Sequence, residues 1–308
     1  MQGLKDLLKV SDVDYLSIYE KVILSYTNVG ENVLIPYMSM GNFAFEAAIN
    51  ERKCLVYDDN PMIKINFESE FFYPSLAGIR NRLSEIKIMR NFPDCGIKRF
   101  LNAKTYDEVM SIRGFLDSAP KDAVNLWIWR LVSEMLKMPK VVNGVITSPE
   151  YFNTREIALR TYKAVLSSID PMKILILHYY VPSFLNNETA LEETLKDKKV
   201  KMAYYAPYAF NADDYFENNL LKMWFSNINK EHLKKSQVLN KESENREKKD
   251  FLSLHKKLEN GGMLFVEKAK DYSLEAFFKL AFFYGYENVK AFCNTKGDSL
   301  YLMRKLSA

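Results

Sequence analysis

The chain has 308 residues, of which 48% are hydrophobic and 14% aromatic, so it can bury a large core as one big domain or as two. Its formal net charge of +4 and pI of about 8.6 are mildly basic, which permits a nucleic acid as a partner without requiring one. Cys54, Cys95 and Cys293 lack metal-type spacing, no apolar run reaches the roughly 18 residues of a membrane span, and the start lacks a signal-peptide core, so we expect a cytoplasmic protein without structural zinc.

The first predicted element is a helix between residues 4 and 27, where apolar residues recur at helical spacing. The residues on its apolar face are Leu16, Tyr19, Val22, Ile23 and Tyr26. Because such a face needs an apolar surface to cover it, we expect this helix to pack on a sheet.

The next stretch, residues 32–61, predicts a strand, a tight turn, a helix and a second strand. Residues 32–35 form a short apolar run that is typical of a strand buried on both faces. Pro36 and Gly41 mark the turn, and Asn42 can cap the helix that follows. The second strand, residues 53–57, ends at Asp58 and Asp59. In doubly wound sheets an acidic residue at this place typically accepts hydrogen bonds from a ribose, so the stretch predicts half of a nucleotide-type α/β domain.

The wording of this stretch, PYMSMGNFAFEAA followed by VYDDNP, resembles the S-adenosylmethionine-binding half of the DNA methyltransferases that methylate the amino groups N4 of cytosine or N6 of adenine. The consensus sequence of that family is DPFxGSGTTxxEA, followed by GxDxNP. The residues in register are Pro36, Tyr37, Gly41, Glu46, Ala47, Asp58, Asn60 and Pro61. The resemblance implies a Rossmann-like class I methyltransferase fold, an α/β fold with a seven-stranded, mostly parallel sheet whose last strand is antiparallel. It also implies S-adenosylmethionine contacts at Pro36, Tyr37, Ser39, Gly41, Asp58 and Asn60.

Three residues differ from the consensus sequence of the family. Ile35 replaces an acidic residue, Ser39 replaces the first glycine, and Met40 replaces a small residue. Glycines in such a turn let the backbone approach a ligand closely, and the side chain of Met40 could fill part of the methionine pocket. The sequence therefore predicts the fold and leaves the binding of S-adenosylmethionine open.

Residues 71–170 predict a mainly helical insertion between two halves of one domain, 1–70 and 171–308, an order that the resembled family shares. Trp127 lies on the apolar stripe of a clear amphipathic helix, which favours a core role over stacking on a nucleobase. Trp129 lies off that stripe. A later helix carries Arg155, Arg160 and Lys163.

Residues 173–182, KILILHYYVP, predict a strongly apolar strand. His178, Tyr179 and Tyr180 then take the place of the family's acidic turn near the adenine ring. A lone histidine after a buried strand is usually structural, whereas the tyrosines could stack on an adenine.

Residues 198–225 resemble the family's catalytic segment, DLVITSPPYLNAxDYFxxxxLxLWW. A strand over residues 200–204 and a helix beginning near Asp213 or Asp214 are predicted. The residues in register are Pro207, Tyr208, Asn211, Ala212, Asp214, Tyr215, Phe216, Leu221 and Trp224. The resemblance places the catalytic tetrad at Tyr205, Ala206, Pro207 and Tyr208, and contacts to a nucleic acid at Tyr208 and Asn211.

The chemistry of this tetrad explains what each position supplies. In the family, a side-chain oxygen at the first position and the backbone carbonyl of the second accept the two hydrogens of the substrate amino group, and the aromatic fourth residue stacks on a base taken out of the duplex. Here Tyr205 supplies a phenol whose oxygen lies several ångströms farther from the backbone than that of the usual Asp, Asn or Ser. Misplacement by about 1 Å can cost ~10²-fold in rate.

Residues 229–257 are rich in lysine, with nine Lys or Arg against five Asp or Glu, and are predicted to form a loop over 229–250. One interpretation is a solvated connection. The other is an arm that contacts phosphates of a nucleic acid, with salt-sensitive and sequence-independent affinity. The residues assigned to this arm are Lys230, Lys234, Lys235, Lys241, Arg246, Lys248 and Lys249.

The last stretch predicts a helix, a turn at Gly261 and Gly262, a strand over residues 263–267, another helix, and a final antiparallel pair of strands. The turn of that pair is predicted at residues 296–298. The aromatic residues of the last helix are predicted to be core residues: Phe277, Phe278, Phe282, Phe283 and Tyr284.

Three functions remain open from the sequence. The first is a non-catalytic descendant, a pseudoenzyme that acts as a DNA-binding or complex-forming component. The second is a divergent but active S-adenosylmethionine-dependent enzyme acting on DNA or RNA bases, with Tyr205, Asp213 or Asp214 as acceptor. The third is a scaffold that binds proteins through an exposed apolar patch. DNA is the expected partner, with RNA as the alternative.

Overall fold

The computed structural model describes residues 13–37, 42–58, 60–139, 141–142, 145–146, 150–185, 188–196, 198–206, 212–235, 243–268, 274–293 and 299–307. The chain divides into two compact units. The helical unit comprises residues 65–174 and 213–232. The sheet unit comprises residues 10–64, 175–212 and 233–308.

The strands, in chain order, are β1 (Asn32–Pro36), β2 (Lys53–Tyr57), β3 (Val141–Val142), β4 (Val145–Ile146), β5 (Ser183–Leu185), β6 (Val200–Tyr205), β7 (Leu258–Lys268), β8 (Tyr286–Cys293) and β9 (Ser299–Lys305). The helices are α1 (Val13–Tyr26), α2 (Asn42–Ile49), α3 (Pro61–Glu68), α4 (Leu76–Glu85), α5 (Ala103–Ser118), α6 (Ala123–Met135), α7 (Thr154–Ser168), α8 (Pro171–Tyr179), α9 (Glu188–Leu195), α10 (Ala212–Asn218), α11 (Leu220–Phe225), α12 (Lys230–Lys235), α13 (Ser243–Lys257) and α14 (Leu274–Phe283). Short 3₁₀ helices span Ser69–Phe71 and Lys98–Phe100.

The sheet unit contains a seven-stranded sheet in the order β5-β2-β1-β6-β7-β9-β8. Strands β5, β2, β1, β6 and β7 pair in parallel, and β9 pairs antiparallel with both β7 and β8. The parallel part has the order of a doubly wound sheet, and the last strand of the chain is the antiparallel one. The predicted Rossmann-like class I methyltransferase fold is therefore confirmed.

Both faces of this sheet are covered, as the apolar runs of β1 and β6 predict. On one face, helix α1 places the buried side chains of Tyr19, Val22 and Ile23, so the predicted helix is confirmed over Val13–Tyr26. The ring of Phe43 in α2 stacks on that of Tyr204 in β6, with centroids 4.3 Å apart. On the other face, α9, α13 and α14 enclose a core that includes Phe251.

The helical unit has a core of its own, built mainly from α4 to α7 and α11. Trp127 is 1% exposed and its indole Nε1 donates to the carbonyl of Phe72 at 2.7 Å, so its predicted core role is confirmed. Trp129 is half-buried, and its Nε1 donates to the hydroxyl of Ser226 at 3.1 Å. Both tryptophans therefore pack within this unit.

The strand predicted over residues 173–182 is wrong, because Pro171–Tyr179 form helix α8 and a strand follows at Ser183–Leu185. Pro171 suits the first helical position, and the carboxylate of Asp170 accepts a hydrogen bond from the backbone N–H of Met172 at 2.9 Å. A short apolar run does not distinguish a strand from a helix, and here the capping residues decide. His178 and Tyr179 are exposed on this helix.

The loop predicted over residues 229–250 is wrong for residues 230–235 and 243–250, which are helical. Helix α12 covers Lys230–Lys235 and helix α13 begins at Ser243, while residues 236–242 lie outside the described ranges. Lysine and glutamate are good helix formers, and α13 gains an apolar anchor in Phe251 and Leu254, which are both buried.

The core role predicted for the aromatic residues of α14 is wrong for two of them. Phe282 is 58% exposed and Phe283 is 80% exposed, whereas Phe278 and Tyr284 pack partly against the core. Ala281, which is 1% exposed, marks the buried face of the helix. Since successive residues turn by about 100°, Phe283 points away from that face. The side chain of Phe277 lies outside the described part of the structure.

The predicted antiparallel pair at the end of the chain is confirmed by the pairing of Cys293 in β8 with Ser299 in β9. The residues of its turn, 296–298, lie outside the described ranges.

Candidate functional site

The predicted site residues that the structure describes lie where β1, β2 and β6 end. These strands are parallel neighbours, so their carboxyl ends meet at one edge of the sheet. The strands β1, β2 and β6 end at Pro36, Tyr57 and Tyr205, and the residues that follow them are Tyr37, Asp58 and Ala206. The structure thus brings the first two positions of the tetrad to the strand ends that were expected to hold S-adenosylmethionine.

Tyr37 has an unusual backbone conformation. Its φ is +63°, a left-handed value that is uncommon for a bulky residue. Its N–H donates to the carbonyl of Tyr57 at 2.8 Å, which continues the pairing of β1 with β2 past the end of the strand. Residues held in such conformations cluster at functional sites, and here the conformation carries the Tyr37 ring into the protein, where it is 5% exposed.

The carboxylate of Asp250 in α13 joins two of these tyrosines. Its Oδ1 accepts a hydrogen bond from the hydroxyl of Tyr37 at 3.2 Å, and its Oδ2 accepts one from the hydroxyl of Tyr205 at 2.9 Å. The two rings are 6.0 Å apart in an edge-to-face arrangement. We call Tyr37, Tyr205 and Asp250 the Asp250 cluster.

The Asp250 cluster holds the first position of the catalytic tetrad inside the protein. Tyr205 is 0% exposed, and its ring also contacts the ring of Phe251 edge to face at 5.8 Å. Sequence reasoning missed Asp250, which it counted only among the charges of the lysine-rich segment. The signal that was present is its position directly before Phe251 and four residues before Leu254, the apolar residues that direct one face of α13 inward.

A small cavity of ≈ 40 Å³ lies beside the Asp250 cluster. Its lining includes Pro36, Tyr57 and Lys257, together with Asp250 and Tyr37. The ammonium of Lys257 donates to the hydroxyl of Ser253 at 2.7 Å and lies 3.8 Å from a carboxylate oxygen of Glu192. This volume has room for about three water molecules.

Asp58 and Asn60 form the turn that starts α3. The N–H of Asn60 donates to Oδ1 of Asp58 at 2.8 Å, and the side-chain oxygen of Asn60 accepts from the N–H of Met62 at 3.1 Å. Asn60 thereby caps a helix whose first residue is Pro61, a common combination at helix starts. The turn holds the half-buried Asp58 directly after β2, where the resemblance expects a ribose contact.

A second tyrosine cluster lies on the opposite face of the sheet, because neighbouring residues of a strand alternate between faces. The carboxylate of Glu267 in β7 accepts hydrogen bonds from the hydroxyls of Tyr19, at 2.7 Å, and Tyr204. Tyr204 and Tyr205, adjacent in β6, therefore both donate to half-buried carboxylates. Nothing in the sequence pattern had indicated Glu267.

In the predicted phosphate-contacting arm, some of the described lysines are exposed to solvent and one forms an ion pair. Lys248 and Lys249 are exposed on α13, and Lys256 is exposed on the same helix. The ammonium of Lys230 lies 2.9 Å from a carboxylate oxygen of Asp213, and this hydrogen bond raises the pKa of Lys230. The outer surface of α13 is therefore basic over residues 248–257, whose side chains are described, while Asp250 faces inward.

Other predicted site residues lie where side chains or whole residues are not described. Lys234, Lys235 and Arg246 belong to helices, but their side chains are outside the described part of the structure. The residues that lie wholly outside it are Ser39, Met40, Gly41, Asp59, Pro207, Tyr208, Asn211 and Lys241. Of the tetrad, only Tyr205 and Ala206 are described, and Ala206 is 1% exposed.

The described residues contain no group of three or more His, Cys, Asp or Glu that could hold a metal ion. None of their helices has the length and apolarity needed to cross a membrane.

The strand order of the sheet defines a Rossmann-like class I methyltransferase fold. No family model matches the sequence, and no curated protein matches it significantly. Among solved structures, it is similar to the rRNA methyltransferase AviRa of Streptomyces viridochromogenes, with a TM-score of 0.37 and 9% identity over 94% of this chain and 83% of that one.

It is also similar to SMU.776, described as a candidate methyltransferase in complex with SAH, with a TM-score of 0.38 and 8% identity over 92% of this chain. The chain spans only about half of that structure, 48% of its length. Likenesses this weak carry no argument about function, and the fold assignment rests on the strand order of the sheet.

Proposed function

We propose that this protein is a catalytically degenerate, methyltransferase-like protein that binds a nucleic acid, with DNA as the expected partner, and acts as a DNA-binding or complex-forming component. The observation that carries the proposal is the state of Tyr205. Its side chain stands at the first position of the tetrad, is 0% exposed, and donates its hydroxyl to Asp250 at 2.9 Å.

The chemistry of amino methylation explains why this observation matters. The lone pair of an exocyclic amino group is delocalised into the base, and an oxygen at the first position must accept one of its hydrogens to direct the lone pair to the methyl group. A base enters such a site from solvent. The phenol oxygen of Tyr205 keeps its lone pairs when it donates to Asp250, but because the side chain is 0% exposed it does not present them to a base that arrives from solvent.

The binding of a nucleic acid is supported by the outer surface of α13. Lys248, Lys249 and Lys256 are exposed there, in a segment where basic residues outnumber acidic ones. Ammonium groups that neutralise phosphates release counterions, which gives affinity that falls steeply as salt rises. We therefore expect sequence-independent binding with a strong dependence on salt.

Two titrations test the proposal. In the first, S-adenosylmethionine and its demethylated product are titrated calorimetrically into the purified protein, and we expect no binding. In the second, affinity for a short duplex DNA is measured between about 50 and 200 mM salt, and we expect it to fall steeply.

The triple variant Lys248→Ala/Lys249→Ala/Lys256→Ala should weaken DNA binding and flatten its salt dependence. A matched control, Lys121→Ala/Lys137→Ala/Lys163→Ala, removes three exposed lysines elsewhere and should bind like the wild type.

An active S-adenosylmethionine-dependent enzyme is the second candidate, and the Asp58 turn favours it. Asp58 lies after β2 in the position of a ribose contact, with its Oδ1 fixed by the N–H of Asn60. If micromolar binding of S-adenosylmethionine is measured, Asp58→Ala should abolish it without unfolding the protein. Binding of S-adenosylmethionine would favour the enzymatic function and make a methyl-transfer assay the next step, with Asp213 and Asp214 as candidate acceptors. If the protein binds neither S-adenosylmethionine nor a nucleic acid, the function that remains is that of a scaffold that binds other proteins.

A further inference from the structure

The connection between α4 and α5 is a long loop in the helical unit. It comprises residues 86–102, and its one regular piece is the 3₁₀ helix Lys98–Phe100. Loops longer than about 12–15 residues without secondary structure of their own are uncommon in compact domains and are usually functional or disordered. We call residues 86–102 the α4–α5 loop.

The α4–α5 loop is fixed to the protein along its length. It runs back along α5, and its backbone atoms bond side chains of that helix in order. The N–H of Met89 donates to the hydroxyl of Ser111, those of Asn91 and Phe92 donate to the carboxylate of Asp107, and the carbonyl of Pro93 accepts from the hydroxyl of Tyr106 at 2.6 Å. A further bond joins the guanidinium of Arg155 in α7 to the carbonyl of Ile86. The loop is therefore a built surface.

The side chains that this surface presents are strongly basic. Residues 86–104, the loop and the first two residues of α5, contain five Lys or Arg and one acidic residue. The basic residues are Lys87, Arg90, Lys98, Arg99 and Lys104, of which all but Lys98 are exposed. The carboxylate of the acidic residue, Asp94, accepts hydrogen bonds from the N–H groups of Gly96 and Lys98.

Three of these cations are seated on aromatic rings. The distance from the cation to the ring centroid is 5.5 Å for Lys98 over Tyr106, 4.7 Å for Arg99 over Phe100, and 5.7 Å for Lys104 over Tyr151. Within the described residues, none of the five cations forms an ion pair with a carboxylate. The carboxylate of Asp107 also faces the loop, so five cations stand against two carboxylates, Asp94 and Asp107, on a backbone that is fixed by hydrogen bonds.

The concentration of charge fits a polyanion. The side chains that anchor the loop lie between Tyr106 and Ser111 of α5, a length of only about 8 Å at 1.5 Å per residue. Phosphates of a duplex follow one another at a spacing of about 1.7 Å along the axis, so several of them meet a surface of this size. Arginine is well suited to bind phosphate oxygens through two N–H groups at once.

We propose that the α4–α5 loop is a contact surface for the phosphate backbone of a nucleic acid, separate from the basic outer surface of α13. This inference rests on the proposed function, because it assigns a second surface to the same partner. Both surfaces contact phosphates and do not recognise the base sequence. The cations of the loop add affinity and fix the orientation of the bound nucleic acid.

The test measures affinity by fluorescence anisotropy for a short duplex DNA and for a duplex RNA of the same sequence, between about 50 and 200 mM salt. The loop variant is Lys87→Ala/Arg90→Ala/Arg99→Ala. It should bind at least about tenfold more weakly, and the slope of log affinity against log salt should fall by up to about 0.9 for each phosphate contact that is lost. The better-bound duplex identifies the kind of nucleic acid.

Two further variants control for loss of charge and loss of fold. Lys121→Ala/Lys137→Ala/Lys163→Ala removes three cations from the same unit outside the loop and should retain wild-type affinity. Lys87→Arg/Arg90→Lys/Arg99→Lys keeps the charges and should also retain it. Circular dichroism of all variants should match that of the wild type.

The outcomes separate this inference from the proposed function. If the wild-type protein binds neither duplex, both are overturned. If it binds and the loop variant keeps the wild-type affinity and salt slope, the inference is overturned and the α13 surface carries the binding. Equal losses in the loop variant and the lysine control would also overturn it, because net charge alone would then explain the effect.

Discussion

At the scale of single residues, the chemistry of the site is decided by the direction of two phenol hydroxyls. Tyr37 and Tyr205 both turn toward Asp250, and the carboxylate accepts a hydrogen bond from each. Charge-assisted bonds of this kind are about twice as strong as neutral ones. These bonds hold the side chain of Tyr205, the residue that the resemblance assigns to catalysis, inside the protein.

This role predicts an order of stabilities among three variants. Tyr205→Phe removes one charge-assisted hydrogen bond and should lower the free energy of unfolding by about 2 kcal/mol. Asp250→Ala leaves two largely buried hydroxyls without their acceptor and should cost about 3 kcal/mol. Asp250→Asn keeps an acceptor oxygen and should fall between the two. Urea denaturation followed by circular dichroism measures all three, and an Asp250→Ala protein as stable as Tyr205→Phe would contradict the cluster.

At the scale of elements, the paired glycines of β7 form a bulge in the strand. Val200 pairs with Leu258 and Met202 with Met263, so five steps along β7 oppose two along β6. Gly261 has a φ of +76°, a value that favours glycine. The turn predicted at these glycines is thus a bulge within β7, which extends from Leu258 to Lys268.

The bulge predicts that Gly262 tolerates no side chain. A Cβ at Gly262 would lie 2.9 Å from the carbonyl oxygen of Glu259 and 3.2 Å from that of Lys201, both backbone atoms. Gly262→Ala should therefore lower the free energy of unfolding by about 1–3 kcal/mol. At Gly114, exposed in α5, a Cβ would meet nothing within 4 Å, and Gly114→Ala should stabilise by up to about 1 kcal/mol. Thermal melts measure both, and equal effects of the two variants would refute the close approach.

Some helices and strands can be predicted from the local sequence pattern, and others cannot. Helices α1 and α6 and strands β1, β2 and β6 follow from the spacing of their apolar residues, because burial on one face or on both leaves that spacing in the sequence. Helix α8 does not, because an apolar run of KILIL fits a strand as well as a helix. Its identity depends on Asp170 and Pro171, which form the start of a helix.

At the scale of the whole molecule, each unit has its own hydrophobic core. Trp127, Trp129 and Trp224, the three tryptophans of the chain, all belong to the helical unit. Units with separate cores can unfold independently. Tryptophan fluorescence then reports on the helical unit alone, whereas far-ultraviolet circular dichroism reports on both.

We therefore expect the two signals to give different midpoints in urea. Gly262→Ala, in the sheet unit, should shift the circular dichroism transition and leave the fluorescence midpoint unchanged. Gly114→Ala, in the helical unit, serves as the reciprocal control and should shift the fluorescence midpoint. Coincident transitions in the wild type and in both variants would show that the chain unfolds as one cooperative body.

The sequence by itself determined the class of the fold. Strands, turns and helix caps have local requirements, and these requirements produce the apolar runs, the turn residues and the sequence motifs at residues 36–61 and 205–224. Only the tertiary structure decided the state of the site. Asp250 is 213 residues from Tyr37 and 45 from Tyr205, and no local pattern specifies which hydroxyl reaches which carboxylate across such separations. The same holds for the α4–α5 loop, whose cations become one surface only because its backbone is bonded along α5. Side-chain pairing between distant segments depends on how elements pack, and that information lies in the fold as a whole.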